Sequence, residues 1–244
     1  MDNAHHPVPP TLMNDRRNFL RLATAGAGAL LLAGALPPAL AHEVAAPPAV
    51  TNPQQALARL QEGNRRYAAD VTKRRGLMDE RAALVNGQHP FAAVLACADS
   101  RIAPEYMFDT GLGELFSVRV AGNFVTNDGL ASLEYAVAVL NTPLILVLGH
   151  DSCGAVAAGV KAVTDNATFP GKIQGLASAF KPSVNTVLKA PGNLLDNAIA
   201  QNVRDTVARL KRESSLLTEA LANGQLNIVG GIYRLHSGEV ELLA

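Results

Sequence analysis

The chain has 244 residues, 48% of them hydrophobic and only 17% charged, which is enough apolar material for a substantial core and excludes disorder for most of its length. Its 21 basic and 21 acidic residues cancel, so no basic excess exists to neutralise a phosphate backbone, and nucleic acid is not an expected partner. The cysteines form an even pair, which in an exported protein can be a simple disulfide.

Residues 1–41 read as a targeting segment rather than as part of the fold. Asp15-Arg16-Arg17-Asn18-Phe19-Leu20-Arg21 resembles the twin-arginine export signal, and a weakly apolar run rich in Ala and Gly follows from Leu22 to Leu36. Pro37-Pro38 then precedes a small-x-small cleavage site, Ala39-Leu40-Ala41. A membrane span wants roughly 18 strongly apolar residues. This run is short and contains glycine, so no stable anchor is expected after cleavage. The resemblance implies a periplasmic or otherwise exported protein that crosses the membrane already folded, its thiols able to meet a metal in the reducing cytosol first. Met13 is an alternative start. Cleavage removes Arg16, Arg17, Arg21, Asp2 and Asp15 and leaves the remainder near neutral.

Residues 42–52 form a linker with Pro47-Pro48, and residues 53–244 are expected to be one catalytic domain. Pro53 opens a helix with Leu57, Leu60, Asn64 and Tyr67 on one face. Lys73-Arg74-Arg75 reads as a solvated basic cluster, and a short helix follows from Asp79 to Val85. The apolar run Phe91 to Ala96 has the length and composition of a buried strand, as do Leu115 to Val120 and Pro143 to Gly149. Between them lie a short helix or turn over Ile102 to Asp109 and a helix from Gly129 to Leu140. After His150, Asp151 or Ser152 can cap a helix running to Val163. Helices are then expected over Gln174 to Leu188 and Leu194 to Leu221, a strand over Leu226 to Leu235, and an edge strand over Val240 to Leu243. The alternation predicts an α/β fold: a central, mostly parallel β-sheet flanked by helices, with an antiparallel edge strand.

Chemistry concentrates at two strand ends, where open α/β sheets place their sites. Cys97-Ala98-Asp99-Ser100-Arg101 follows one strand, and His150-Asp151-Ser152-Cys153-Gly154 follows another. Two thiolates and an imidazole are a donor set that Zn²⁺ prefers, with Asp99 or water in a fourth position. The adjoining Asp99, Arg101 and His150 make a Cys97–Cys153 disulfide the weaker reading.

The combination Cys97-x-Asp99-x-Arg101 with His150-x-x-Cys153-Gly154 resembles the β-class carbonic anhydrases. Gly87-Gln88-x-Pro90, Arg119-Val120-Ala121-Gly122-Asn123, Leu133-Glu134-Tyr135 and the closing strand pair extend the resemblance over about Pro53 to Leu243. It implies one Zn²⁺ per subunit, held by Cys97, His150 and Cys153, and reversible hydration of CO2 to bicarbonate and a proton by a zinc-bound hydroxide. Asp99 orients that hydroxide. Arg101 keeps Asp99 turned from the metal, and a broken pair lets Asp99 become a fourth ligand and close the site. Gln88 hydrogen-bonds substrate, while Phe116, Ala121 and Tyr135 line a small CO2 pocket partly across a dimer interface, with Gly154 in the same substrate-binding set. The implied assembly is a homodimer or a higher even oligomer. Ala121 is smaller than the valine many relatives carry, and Asp151 replaces a small hydroxyl residue, where it caps the helix or places negative charge near the metal. Val94 stands where a bicarbonate-inhibited subgroup has tryptophan, so that inhibition is not expected. His5, His6, His89 and His236 have no ligand partners at suitable spacing. A zinc hydrolase of CS2 or COS and a non-catalytic zinc-binding homologue remain alternative readings.

Overall fold

Two of the apolar runs expected as strands become adjacent at the centre of the sheet. The computed structural model describes residue 50 and residues 52–243, all within one compact unit; the export signal at 1–41 and most of the 42–52 linker lie outside them. Strands β1 (Ala92–Ala96), β2 (Leu115–Arg119), β3 (Leu144–His150), β4 (Asn227–Tyr233) and β5 (Val240–Leu243) form one sheet in the order β2-β1-β3-β4-β5. All neighbours are parallel except the β4–β5 pair, which is antiparallel at the edge. This is the expected α/β architecture.

Every residue of β1 and β3 is buried, because both faces of the sheet are covered. Alternate side chains point to opposite faces. Ala93, Leu95, Ile145 and Val147 pack on one side with Leu133, Phe180, Ile199 and Val203. Val94, Ala96, Leu146 and Leu148 pack on the other with Ala56, Leu60, Met107 and Phe108. Runs that are apolar at every position, rather than alternating, are the signature of such doubly covered parallel strands.

On the second face lie α1 (Pro53–Ala68), whose Asn52 cap accepts from Gln55 N–H at 2.9 Å, and the short α3 (Pro104–Met107). Of the stripe expected on α1, Leu60 and Asn64 are buried, while Leu57 and Tyr67 pack at its margin. α2 (Leu77–Ala83) begins two residues before the sequence suggested. The basic cluster before it is not simply solvated. Arg75 pairs with Glu80 at 3.8 Å, with Glu114 at 3.4 Å and with Asp109 at 3.9 Å, because a buried Asp109 and two half-buried glutamates there need a fixed cation.

The first face carries α4 (Asn127–Ala138), α5 (Gly154–Thr164), α6 (Ile173–Ala179), α7 (Lys181–Val187), α8 (Leu194–Glu213) and α9 (Ser215–Ala222). Two expected helices are each two. The run over 174–188 breaks at Phe180, since Pro182 has no N–H for a preceding turn and fits only the start of a helix. The run over 194–221 breaks at Ser214, which turns extended and accepts from Leu217 N–H at 3.1 Å as a new cap. The cap of α5 also differs from expectation: Cys153, not Asp151 or Ser152, holds that position. Among the described residues no helix is long and apolar enough to cross a membrane.

Candidate metal centre

The β1–β3 register sets Ala96 beside Leu148, so the two strands end almost level and their following turns meet above the sheet. Cys97 follows β1, His150 is the last residue of β3, and Cys153 caps α5. Their ligand atoms all lie within 4.8 Å of one another, and all three side chains are buried. Both cysteines are free.

The imidazole is oriented from behind. His150 Nδ1 lies 2.8 Å from the backbone oxygen of Asp151, an acceptor only, so Nδ1 carries the proton and Nε2 keeps its lone pair. Nε2 is buried and has no hydrogen-bond partner among the described residues. A buried polar nitrogen without a partner is costly. Facing two thiols, it is explained by a cation, and a borderline-soft one suits two sulfurs and an imidazole. The residues present therefore fit zinc.

The sulfurs divide one proton between them. The Cys153 thiol donates to Cys97 and outweighs the burial that opposes ionisation there; His150 and the backbone N–H groups of Gly122 and Asp99 add to it, and the Cys97 pKa falls to about 4. Those N–H groups stand 3.2 and 3.4 Å from Cys97 Sγ. Cys153 is pushed well above the usual thiol range, first by that hydrogen bond with Cys97 and then by burial, although backbone N–H groups at the start of α5 pull the other way. Burial pulls the His150 pKa down, but the neighbouring Cys97 sulfur and its charge, with the Asp151 carbonyl and Asp99, raise it overall.

Asp99 and Arg101 lie at the mouth. Arg101 Nε meets Asp99 Oδ1 at 3.0 Å and Nη2 meets Oδ2 at 2.8 Å, a bidentate pair strengthened by the Arg101 backbone N–H to Oδ1 at 2.9 Å. Asp99 Oδ2 stands 4.0 Å from His150 Nε2. The carboxylate thus faces the guanidinium, and the metal-binding group comprises the other three expected ligands.

Two supports were not assigned roles from sequence. Arg119, at the end of β2, donates from Nε to the Cys97 carbonyl at 3.0 Å and from Nη2 to the Asp99 carbonyl at 2.8 Å, clamping the turn between them. Gly122 gives its N–H to Cys97 and its carbonyl accepts from buried Asn202 Nδ2 at 2.9 Å. The run Arg119 to Asn123 was visible as a motif; its Gly-Asn end signals a left-handed turn, and Gly122 and Asn123 both have positive φ.

The expected substrate residues are less gathered. Phe116 and Tyr135 face each other at 6.3 Å between ring centroids, on β2 and α4. Ala121 is half-buried beside Gly122, Gly154 opens α5, and Gln88 is exposed in the stretch before β1. Val94 is wholly buried within β1.

The sequence pattern of the carbonic anhydrase family matches residues 92–240, which include all three metal-facing side chains. The chain belongs to the carbonic anhydrase family. Carbonic anhydrase 2 of Mycobacterium tuberculosis is 43% identical over 193 residues, covering 79% of this chain and 93% of that protein. Among solved structures, the β-carbonic anhydrase CcaA aligns with a TM-score of 0.62 and 26% identity, over 78% of this chain and 94% of that one. A β-carbonic anhydrase of Sordaria macrospora, described as tetrameric, shares the fold with a TM-score of 0.61 at 21% identity, over 67% of this chain and 85% of that one. Zinc is the metal of β-class carbonic anhydrases, and this chain carries the Cys97/His150/Cys153 group for it.

Proposed function

We propose that this carbonic anhydrase hydrates CO2 reversibly to bicarbonate and a proton at the Cys97/His150/Cys153 centre, with Asp99 and Arg101 as its orienting pair. The observation that carries the reading is the buried Nε2 of His150, without a hydrogen-bond partner among the described residues, aimed at two free cysteines beside an Arg-held carboxylate. What zinc supplies when bound is Lewis acidity, which makes a water nucleophilic near neutral pH.

The chain's own residues do the rest. Asp99 is acceptor-only when ionised, so its carboxylate takes a hydrogen bond from the attacking water and turns the water's lone pair toward the carbon. Arg101 keeps that carboxylate ionised and held on its guanidinium, with Oδ2 4.0 Å from His150 Nε2. Gln88 donates to a substrate oxygen as the carbon bends from linear to trigonal. Phe116, Ala121 and Tyr135 give CO2 an apolar wall, which suits a small molecule with no net charge. Gly154 leaves the floor open, since a Cβ there would meet nothing within 4 Å.

A second copy completes this wall. Strand β2 is the sheet's other edge, and Tyr106, Tyr135 and Val139 are 75%, 48% and 56% exposed near it. That much apolar surface beside an open sheet edge favours a homodimer or higher even oligomer. Residues 1–41 act as a twin-arginine export signal, supported by Arg16-Arg17 and by Ala39-Leu40-Ala41, and deliver residues 42–244 to the periplasm. N-terminal sequencing of periplasmic protein tests this; an intact Arg16-Arg17 there rules it out.

The activity is tested by stopped-flow CO2 hydration on zinc-quantified protein, with Asp99→Ala in parallel and CS2 and COS as competing substrates. CO2 turnover that scales with zinc content supports the reading. Turnover of CS2 alone, or none with full zinc, overturns it.

A further inference from the structure

The turn that follows His150 holds an acidic side chain, Asp151, to which the reaction gives no role. Strands β3 and β4 run parallel, with His150 opposite Tyr233. The ladder continues one residue further, because Asp151 N–H donates to the Tyr233 carbonyl at 3.2 Å. In a regular parallel ladder the next rung would run from Leu235 N–H to the Asp151 backbone carbonyl. That rung is replaced. Leu235 N–H donates instead to the side-chain Oδ1 of Asp151 at 3.1 Å. The backbone carbonyl of Asp151 faces His150 Nδ1 at 2.8 Å.

We infer that Asp151 is a positioning residue: its carboxylate stands in for its own backbone carbonyl in the sheet, and the carbonyl so released fixes the His150 ring with Nε2 toward Cys97 and Cys153. The need is one of backbone accounting. A half-buried N–H such as that of Leu235 requires an acceptor. Without Oδ1, the ladder directs it to the Asp151 carbonyl, where it competes with Nδ1–H for one oxygen. The partner on the far ring nitrogen fixes the tautomer and direction of a metal-ligating histidine, and losing such a partner typically weakens metal binding about 10- to 100-fold. This role explains why a carboxylate is accommodated beside the metal histidine although it caps no helix. It also predicts that the oxygen matters and the charge does not, even though Arg101 and Arg234 both feel the Asp151 charge.

The inference rests on the zinc reading above, and the test separates the two. Zinc dissociation constants are measured for the full chain by competition with a chromophoric chelator. Solvent exchange of the His150 Nδ1 proton is followed by ¹⁵N NMR on the zinc-loaded protein. Asp151→Ala is expected to weaken zinc binding roughly tenfold or more and to speed that exchange. Asp151→Asn, whose amide oxygen can still accept from Leu235, is expected to stay within about threefold of the parent and to keep the exchange slow. Should Asp151→Ala fail to fold, Asp151→Asn decides alone. Tight zinc with a slowly exchanging Leu235 amide supports the role, and weakened zinc overturns it. Equal zinc binding by all three proteins, or an Asn variant as weak as the Ala variant, also overturns it. A parent that binds no zinc would instead overturn the metal reading.

Discussion

Arg101 holds both carboxylate oxygens of Asp99, and the two residues are only two positions apart on the turn after β1. The pair is therefore built by local chain geometry and does not depend on how distant elements dock. Arg101's hydrogen bonds, only partly offset by burial, hold the Asp99 carboxyl below the usual carboxylate range. Replacing Arg101 with Ala leaves Asp99 ionised at neutral pH but free to swing toward the metal. kcat/KM for CO2 is expected to fall about a hundredfold, with Arg101→Lys intermediate because an ammonium keeps the charge and loses the fork. The stability effect has a definite sign. A depressed folded pKa contributes stability above the unfolded value of about 3.9 and loses it as pH falls below that. The parent should thus be more stable than Arg101→Ala at pH 5 to 7, with the difference closing below about pH 4. Stopped-flow kinetics and thermal melts across pH measure both.

Zinc uptake should carry a proton signature. In the metal-free site Cys97 is ionised at neutral pH, its pKa lowered to about 4, while Cys153 keeps its proton. Binding must expel that proton, so the apparent affinity should rise about tenfold per pH unit above neutrality. In mild acid the slope should steepen toward two protons, because the His150 pKa is raised and the ring must also deprotonate. Chelator competition between pH 5.5 and 9 reads the slope. A slope near two at pH 8 would mean that both thiols are protonated in the free site.

The metal ligands were legible because Cys97, His150 and Cys153 stand at the ends of apolar runs of strand length, where such residues rarely sit without a task. The Asp99–Arg101 pair was legible for a different reason, its two members being only two positions apart. What stayed hidden depends on residues far apart in the chain. Asn202 reaches Gly122 across 80 positions, and nothing in α8 marks it from an ordinary polar residue in an amphipathic helix. Arg75 looked solvated since its carboxylate partners, Glu80, Asp109 and Glu114, are brought to it by packing. The Asp151 exchange is invisible because side-chain and backbone oxygens of one residue swap roles.

The break between α8 and α9 was missed because the apolar spacing continues through it. The signal was Ser214-Ser215, a cap placed inside a helical pattern. Ser214 Oγ accepts from Leu217 N–H and donates to Glu134 Oε1 at 2.6 Å, tying α9 to α4. Ser214→Ala removes the cap and leaves Glu134 without this donor. A loss of about 1–2 kcal/mol in unfolding free energy is expected, with zinc content per folded chain unchanged. Denaturant titration and metal analysis test the two halves; zinc loss in the folded variant would show that this joint reaches the centre.

Gly122 is where backbone conformation, core packing and metal binding converge. Its φ of +81° lies in the left-handed region, and a Cβ there would come within 2.2 Å of Phe180 Cζ. Phe180 is itself fully buried and packed edge-on against Phe124 at 5.5 Å, so it has little room to move. Gly122→Ala should cost about 1 kcal/mol from backbone strain and a further 1–3 kcal/mol from overpacking. The displaced N–H should also loosen its hold on Cys97 Sγ and weaken zinc binding. Phe180→Leu in the same chain separates the contributions: it relieves the clash but not the strain. The pair should therefore be non-additive by about 1 kcal/mol or more, with zinc affinity partly restored. Strict additivity in denaturant unfolding would mean that the aromatic ring yields without cost and that backbone conformation alone makes glycine necessary beside the sulfur.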